Sequence, residues 1–239
     1  MAKAARNDYS DMYIGDLAFE DIMDPVDYDE DDLDWVKDEL DDPDHDYETE
    51  AKKKSFIEGL LSREHYGPAE HAHAAVSIKG VSRSLMAQFT RHRHMSFDVQ
   101  SMRYVDFEDA DPIVPQTLRD DSQHLSREEG LVDLDQDVRE KHRERYEDLM
   151  EELTEFYSDA VEDGVPKEDA RFAMPIGTPV NMVASGNLRS WMHVLNVRQK
   201  ADAQWEIREL SNEITEELGD VAPITVNYFE ENGPFKLGL

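Results

Sequence analysis

The residues best equipped for chemistry stand between positions 91 and 103. Arg91, His92, Arg93, His94, Ser96, Ser101 and Arg103 place three guanidiniums, two imidazoles and two hydroxyls around one acid, Asp98. An arginine cannot shed its proton, so guanidiniums this close repel one another unless something anionic lies among them. A phosphate would serve, since arginine forks and serine hydroxyls bind its oxygens in directed, charge-assisted geometry. Carboxylates from elsewhere in the chain could neutralise the same cluster, and composition alone leaves both readings open. A second polar set follows Asn187: with Leu188, Trp191, Met192 and Leu195 as the buried stripe of a helix, Arg189, His193 and Asn196 fall on one flank and Asn187 with Arg198 on the other. A third stretch, His65, Glu70, His71 and His73, has zinc-like ligand types. Its spacing is not the helical HExxH pattern, and Gly67-Pro68 argues for a turn. No G-x-G-x-x-G or P-loop lysine motif occurs, so a dinucleotide would have to be held without a Rossmann fingerprint.

Several elements must position these groups. Phe56, Ile57, Leu60 and Leu61 predict an amphipathic helix over 50–63, and residues 71–80 alternate as a strand. Val81, Leu85, Met86 and Phe89 then give a helix behind the potential caps Ser82 and Ser84, running directly into Arg91. Gln100 to Phe107 reads as extended, and 108–136 as an acidic, irregular surface insertion. A long helix follows with Tyr146, Leu149, Met150, Leu153, Tyr157 and Ala160 on one face, ended by Gly164. Pro166 suits the first turn of a short helix through Arg171. A strand over 176–185 and helices over 187–199 and 202–218 complete the chain, with Gly219 as the expected C′ residue. Alternating helices and a few strands predict an α+β (α/β) fold. The alternation does not give strand order; the expected arrangement is a central antiparallel-type sheet with packed helices in a single domain.

With 25 basic against 56 acidic residues the chain carries a formal charge of −31. Nine Tyr, nine Phe and three Trp exclude a disordered acidic protein and predict a packed core. Concentrated salt accounts for the charge, because screening lengths fall to about 3 Å at 1 M. Ten lysines against fifteen arginines fit that setting. A nucleic acid polymer is disfavoured as partner, since backbone binding needs a basic footprint. No apolar run long enough for a membrane span and no signal-peptide pattern occur, which predicts a cytoplasmic protein. Residues 1–50 hold 20 acids and three basic residues. They form an acidic N-terminal segment in which Tyr9, Tyr13, Ile14, Phe19, Ile22 and Met23 could dock and a short helix near Leu33–Leu40 is expected. Residues 51–239 are then the catalytic domain. The chain has no cysteine, which removes disulfides, thiolate ligands and a thiolate nucleophile together.

Arg91-His92-Arg93, seven residues, then Ser101, with Arg103-Tyr104 beyond, resembles the signature of the flavin-dependent thymidylate synthase family. His65, Pro68, Glu70 and His71 upstream extend the resemblance, as do Gly164-Val165-Pro166, Ala170-Arg171, Asn187-Leu188-Arg189-Ser190 and Ala203-Gln204-Trp205-Glu206 downstream. The likeness covers roughly residues 51–218. It implies a homotetramer with shared active sites, FAD as cofactor in a non-Rossmann site, dUMP as substrate, and NADPH and methylenetetrahydrofolate as co-substrates. It implies no metal. By the same resemblance Arg91, His92, Arg93, Asn187, Leu188, Arg189 and His193 bind the flavin, with Gly67 near it. Gln88, Arg91, Ser101, Met102, Arg103 and Arg171 hold dUMP, the phosphate chiefly through arginine. Arg198 matches the arginine that contacts the uracil and is the expected catalytic residue. Val99 and Gln100 lie in the loop that touches both flavin and dUMP. Val99 stands where many members carry Glu or Gln, so its contacts would come from backbone, and Gly67 replaces a frequent hydroxyl residue.

Three other readings stand beside this one. The fold could serve another nucleotide or a flavin oxidase; the Arg/His cluster could dock an acidic partner in a non-enzymatic protein; or His65, His71, His73 and His92 could hold a metal.

Overall fold

A computed structural model describes residues 47–105, 111–119, 124–126, 130–132 and 134–233. The expected docking residues and short helix of the acidic N-terminus lie outside these. The chain groups into two compact units, each assembled from separate segments. Of the described residues, the first comprises those up to Ala74 with Gly186–Asn196 and those from Glu213 onward; the second comprises those within Ala75–Ser185 with Val197–Asn212.

In the first unit, helix α1 (Tyr47–Ser62) packs on helix α7 (Pro223–Asn232). Ala51, Leu60 and Leu61 from α1 are buried, as are Val226 and Phe229 from α7. A 3₁₀ helical turn, Gly67–His71, occupies the stretch expected to turn, with Pro68 and Ala69 buried. Helix α5 (Leu188–Arg198) supplies Leu188, Trp191, Met192 and Leu195, the stripe its spacing predicts. Trp191 is fully buried and donates its indole N–H to the carbonyl of Ala74 at 3.2 Å, so its polar handle is satisfied.

The second unit is built on a three-stranded sheet in the order β1-β5-β2, from β1 (His73–Ser82), β5 (Pro179–Asn187) and β2 (Ser96–Val99). Strand β2 runs antiparallel to β5, with Ser96 opposite Ser185 and Val99 opposite Met182. Main-chain bonds from Leu188 to Ala72 and from Arg83 to Thr178 show that β1 and β5 are antiparallel as well. The central strand alternates as a half-covered strand should, burying Val180, Met182 and Ala184. Helix α2 (Arg83–Phe89) buries Leu85 and Phe89. Helix α3 (Gln136–Glu162) buries Met150 and Tyr157. It stops at Gly164, whose φ of +93° only glycine adopts freely, with the Val165 N–H bonding back to Ala160. After helix α4 (Lys167–Ala170) comes a 3₁₀ turn, Arg171–Ala173. Helix α6 (Trp205–Val221) buries Trp205, Ile207 and Leu210.

Several boundaries differ from expectation. Gln100 to Phe107 is not extended through its described part: the strand lies just before it, and the Tyr104 and Val105 N–H groups fold back onto Ser101. Gly219 does not end α6, which continues to Val221 and stops before Pro223, a residue that cannot donate to a preceding turn. Leu149 sits on the expected apolar face of α3 yet is 40% exposed. The 108–136 stretch is more regular than predicted. It carries a 3₁₀ turn at Gln116–Leu118 and a hairpin of β3 (His124–Ser126) and β4 (Gly130–Val132).

Residues 111–119 are also fastened down. Ile113 donates to Gly177 O and accepts from Tyr146 Oη, while the Arg119 guanidinium lies 4.4 Å from the Trp205 ring centre. A Cβ at residue 177 would run into Tyr146 Oη, so a side chain there would have to displace the end of the tyrosine and its bond to Ile113. Beside this segment an open groove of about 1110 Å³ runs along α3. Asp111, Glu147, Glu151, Glu155 and Asp159 line it, the four helix acids following one another every fourth residue. Glu147 is paired with Arg143. None of the expected site residues lines this groove.

Candidate active site

Helix α2 aims the arginine cluster. Ser82 caps it, accepting the Leu85 N–H at 2.9 Å. The Glu206 carboxylate in turn takes the Ser82 N–H at 2.6 Å and the Ser82 hydroxyl. Both residues are buried, so the start of α2 is fixed by a charged, desolvated contact. Gln88 lies on the last turn of this helix, half-buried. Arg91, His92 and Arg93 follow in the turn that leads to β2, with Arg91 and Arg93 exposed.

Arg198 Nε donates to His92 Nε2 at 2.9 Å. To accept, the imidazole must be neutral with its proton on Nδ1. The Arg198 guanidinium is held below the ordinary arginine value, first by burial and then by the neighbouring charge of Arg91. Among the described residues, Arg91, Arg93 and Arg198 have no carboxylate within ion-pair distance. These three stand without a carboxylate partner among the described residues of a chain that has 56 acids.

A second group of arginines gathers around α4. Arg103 pairs with Glu168 at 2.9 Å, and the Glu168 carbonyl accepts from Arg171 Nε at 3.2 Å. Burial, and after it the charge of Arg171, lowers the proton affinity of Arg83. The Ser101 hydroxyl accepts the Arg103 N–H at 3.3 Å. Met102 is buried. Val99 is locked in the sheet opposite Met182. Gln100 is engaged structurally, its N–H on the Asn181 carbonyl and its side-chain oxygen on the Asn181 N–H.

The first unit holds the other expected residues. Asn187 Oδ1 accepts the Ser190 N–H at 2.8 Å and so caps α5. The Leu188 N–H is taken by Ala72. Arg189 is ion-paired with Glu70, and His193 is half-buried on the same helix. Gly67 opens the exposed end of its 3₁₀ turn with nothing within 4 Å of the position a Cβ would take. No group of three His, Asp or Glu side chains able to hold a metal forms among the described residues.

Sequence reasoning passed over Arg83, Glu168, Asn181 and the role of Glu206. Arg83 carried a signal: a cation in the first turn of a helix opposes the helix dipole and needs another reason to be there. The partners of Glu206 and Asn181 lie about a hundred residues away along the chain, and no local pattern points to them.

A family model described as thymidylate synthase complementing protein matches residues 1–224. The chain is 43% identical to a flavin-dependent thymidylate synthase of Haloarcula marismortui, over 97% of this chain and 90% of that relative. Identity to the enzyme of the same name from Halobacterium salinarum is 39%, covering 96% of this chain and 89% of the other. A Geobacter sulfurreducens relative of that name is 33% identical over 75% of this chain and 69% of its own. The chain therefore belongs to the flavin-dependent thymidylate synthase family. The two halophilic relatives align along nearly the whole chain, acidic N-terminus included, whereas the Geobacter alignment covers three quarters of it.

Proposed function

We propose that this protein methylates dUMP to dTMP with FAD as cofactor and NADPH and methylenetetrahydrofolate as co-substrates, working in a salt-rich cytoplasm. The observation that carries the proposal is the Arg91, Arg93 and Arg198 set, which has no carboxylate partner among the described residues of a strongly acidic chain of this family. These residues fit a flavin: Arg91 and Arg93 are exposed cations suited to its pyrophosphate, and the Arg189 fork and the Asn187 amide retain donors beyond their internal bonds. Arg91, His92, Arg93, Asn187, Arg189 and His193 would hold it, with Leu188, Val99 and Gly67 contributing through backbone or close approach. The bound flavin would supply the reducing chemistry that a side chain cannot.

Arg198 does the electrostatic work on the substrate. Transfer of a carbon unit to uracil C5 builds negative charge on the pyrimidine, and a fixed guanidinium stabilises that charge without a proton transfer of its own. His92 takes the Arg198 Nε–H and leaves both Nη groups available for the base. Burial strengthens the effect by thinning the solvent around the cation. Gln88, Ser101, Arg103 and Arg171 would bind dUMP, with Met102 and Gln100 contributing main chain. A protein thiol has no part, since the chain contains no cysteine. We read residues 51–239 as the catalytic domain of a homotetramer with shared sites and 1–50 as an appended acidic segment. No helix among the described residues is long and apolar enough to cross a membrane.

The test is a visible spectrum of protein purified in concentrated KCl, followed by anaerobic NADPH with and without dUMP. A flavin band that bleaches faster with dUMP, and dTMP formed on adding methylenetetrahydrofolate, are expected. Colourless protein that takes up no FAD in high salt would instead favour an acidic docking protein.

A further inference from the structure

One buried carboxylate is shared by the starts of two helices. Glu206 lies in the first turn of α6 and is 8% exposed. Its oxygens accept the Ser82 N–H at 2.6 Å and the Ser82 hydroxyl, at the residue that caps α2. The first turn of α2 has no acid of its own, so Glu206 is the negative group at the positive end of that helix as well as of α6. Among the described residues no lysine, arginine or histidine is paired with it. A carboxylate buried without a cation depends on its fixed donors, and here one serine supplies both.

The chain on either side of this contact leads to the His92–Arg198 bond. From Ser82, the short helix α2 runs to Phe89, and N–H bonds from Thr90 to Met86, from Arg91 to Gln88 and from His92 to Phe89 continue it turn by turn to His92. On the other side, Gln204 Oε1 accepts the Ile207 N–H at 3.1 Å, the Arg208 guanidinium donates to the Ala201 carbonyl at 3.0 Å, and the Ala203 N–H bonds to Lys200 O. The loop from Arg198 to Glu206 is therefore bonded within itself. Arg198 Nε and His92 Nε2 then meet at 2.9 Å. Two internally bonded segments are joined at both ends, by Glu206 to Ser82 at one and by Arg198 to His92 at the other. Loosening the first joint frees α2 to pivot and carries His92 away from its donor. A displacement of about 1 Å in a group that acts on reacting atoms can cost about 10²-fold in rate.

We propose that Glu206 is a positioning residue for the reaction: by fixing Ser82, and α2 with it, Glu206 holds His92 against Arg198 and so keeps the guanidinium Nη groups available for the pyrimidine. The assignment rests on the role of Arg198 given above. Glu206 touches neither substrate nor cofactor in this scheme and acts only through the frame it closes.

The first arm of the experiment needs no turnover. Full-length protein as purified in concentrated KCl, isotope-labelled at the histidine nitrogens, is examined by solid-state NMR at about pH 8, where an ordinary imidazole is neutral. Wild type is compared with Glu206→Gln and Ser82→Ala, and His92→Gln identifies the His92 signal. Wild type should show His92 with its proton on Nδ1. Both variants should move towards a mixture that contains the Nε2–H form, because the tautomer follows the bond that the other nitrogen makes. An unchanged His92 signal in the variants overturns the proposal. The second arm is dTMP formation: Glu206→Gln should lower kcat by about 10-fold or more in the wild-type background. In an Arg198→Ala background the further loss should be less than about twofold, since no guanidinium is left to position. An equal loss in both backgrounds marks a general structural role and overturns the proposal, as does an unchanged kcat. If Glu206→Gln does not fold, Ser82→Ala replaces it in both arms with the same expectations. A His92 signal that depends on Glu206 in a protein that makes no dTMP would retire the reaction and leave the hold on His92 standing.

Discussion

The two ends of helix α5 carry one arginine each, and their treatment is opposite. Arg189, in the first turn, is matched by Glu70 in an ion pair with both side chains substantially exposed. Arg198, the last residue, meets a neutral histidine and another arginine, and burial adds to the cost of its charge. Neutralisation is the default in a chain with this many acids. Arg198 has no carboxylate partner among the described residues, which on the proposed function leaves its charge for the substrate.

That contrast can be tested by removing each side in turn. Arg198→Ala should have the largest effect, lowering kcat for dTMP formation by about 10²–10³-fold while the flavin spectrum is kept; near-normal turnover would take away its catalytic assignment. Arg91→Ala should act on the cofactor, weakening FAD by roughly 10-fold or more as read from absorbance after dialysis. Retention of full flavin would confine Arg91 to the substrate. Ser82→Ala should cost about 1–2 kcal/mol in denaturant unfolding, since it removes a cap and leaves the buried Glu206 carboxylate short of a donor. Glu70→Gln should be the mildest. An exposed pair contributes at most about 1 kcal/mol, less in high salt, so the melting temperature should hardly move. A large loss there would mean that the two ends of α5 are less different than their partners suggest.

Much of this was legible in the sequence. The buried stripe of α5, the cap at Ser82 and the stop at Gly164 follow from local rules of periodicity, capping and backbone freedom, and the antiparallel sheet was expected. The Arg91-His92-Arg93 cluster stood out because its charge contradicts its surroundings. What could not be read was pairing at a distance. Nothing near Glu206 announces that it anchors Ser82, and nothing near His92 announces Arg198, 106 residues further on. The strand beside the cluster is Ser96–Val99, ahead of the Gln100 to Phe107 stretch expected to be extended, because the Tyr104 and Val105 N–H groups turn back onto Ser101. The 108–136 stretch looked loose because its anchors, Gly177, Tyr146 and Trp205, belong to later elements.

The row of acids on α3 has a bearing on the solvent itself. Glu147, Glu151, Glu155 and Asp159 make three successive like-charge steps at i,i+4, each opposing the helix by a few tenths of a kcal/mol when poorly screened. The same helix carries Met150 and Tyr157 into the core and, through Tyr146, holds Ile113. Dissolved salt screens this repulsion and so favours the wound helix. On dilution α3 is the element expected to weaken, and ionic strength acts on this protein as a building material acts, by being present in the wall.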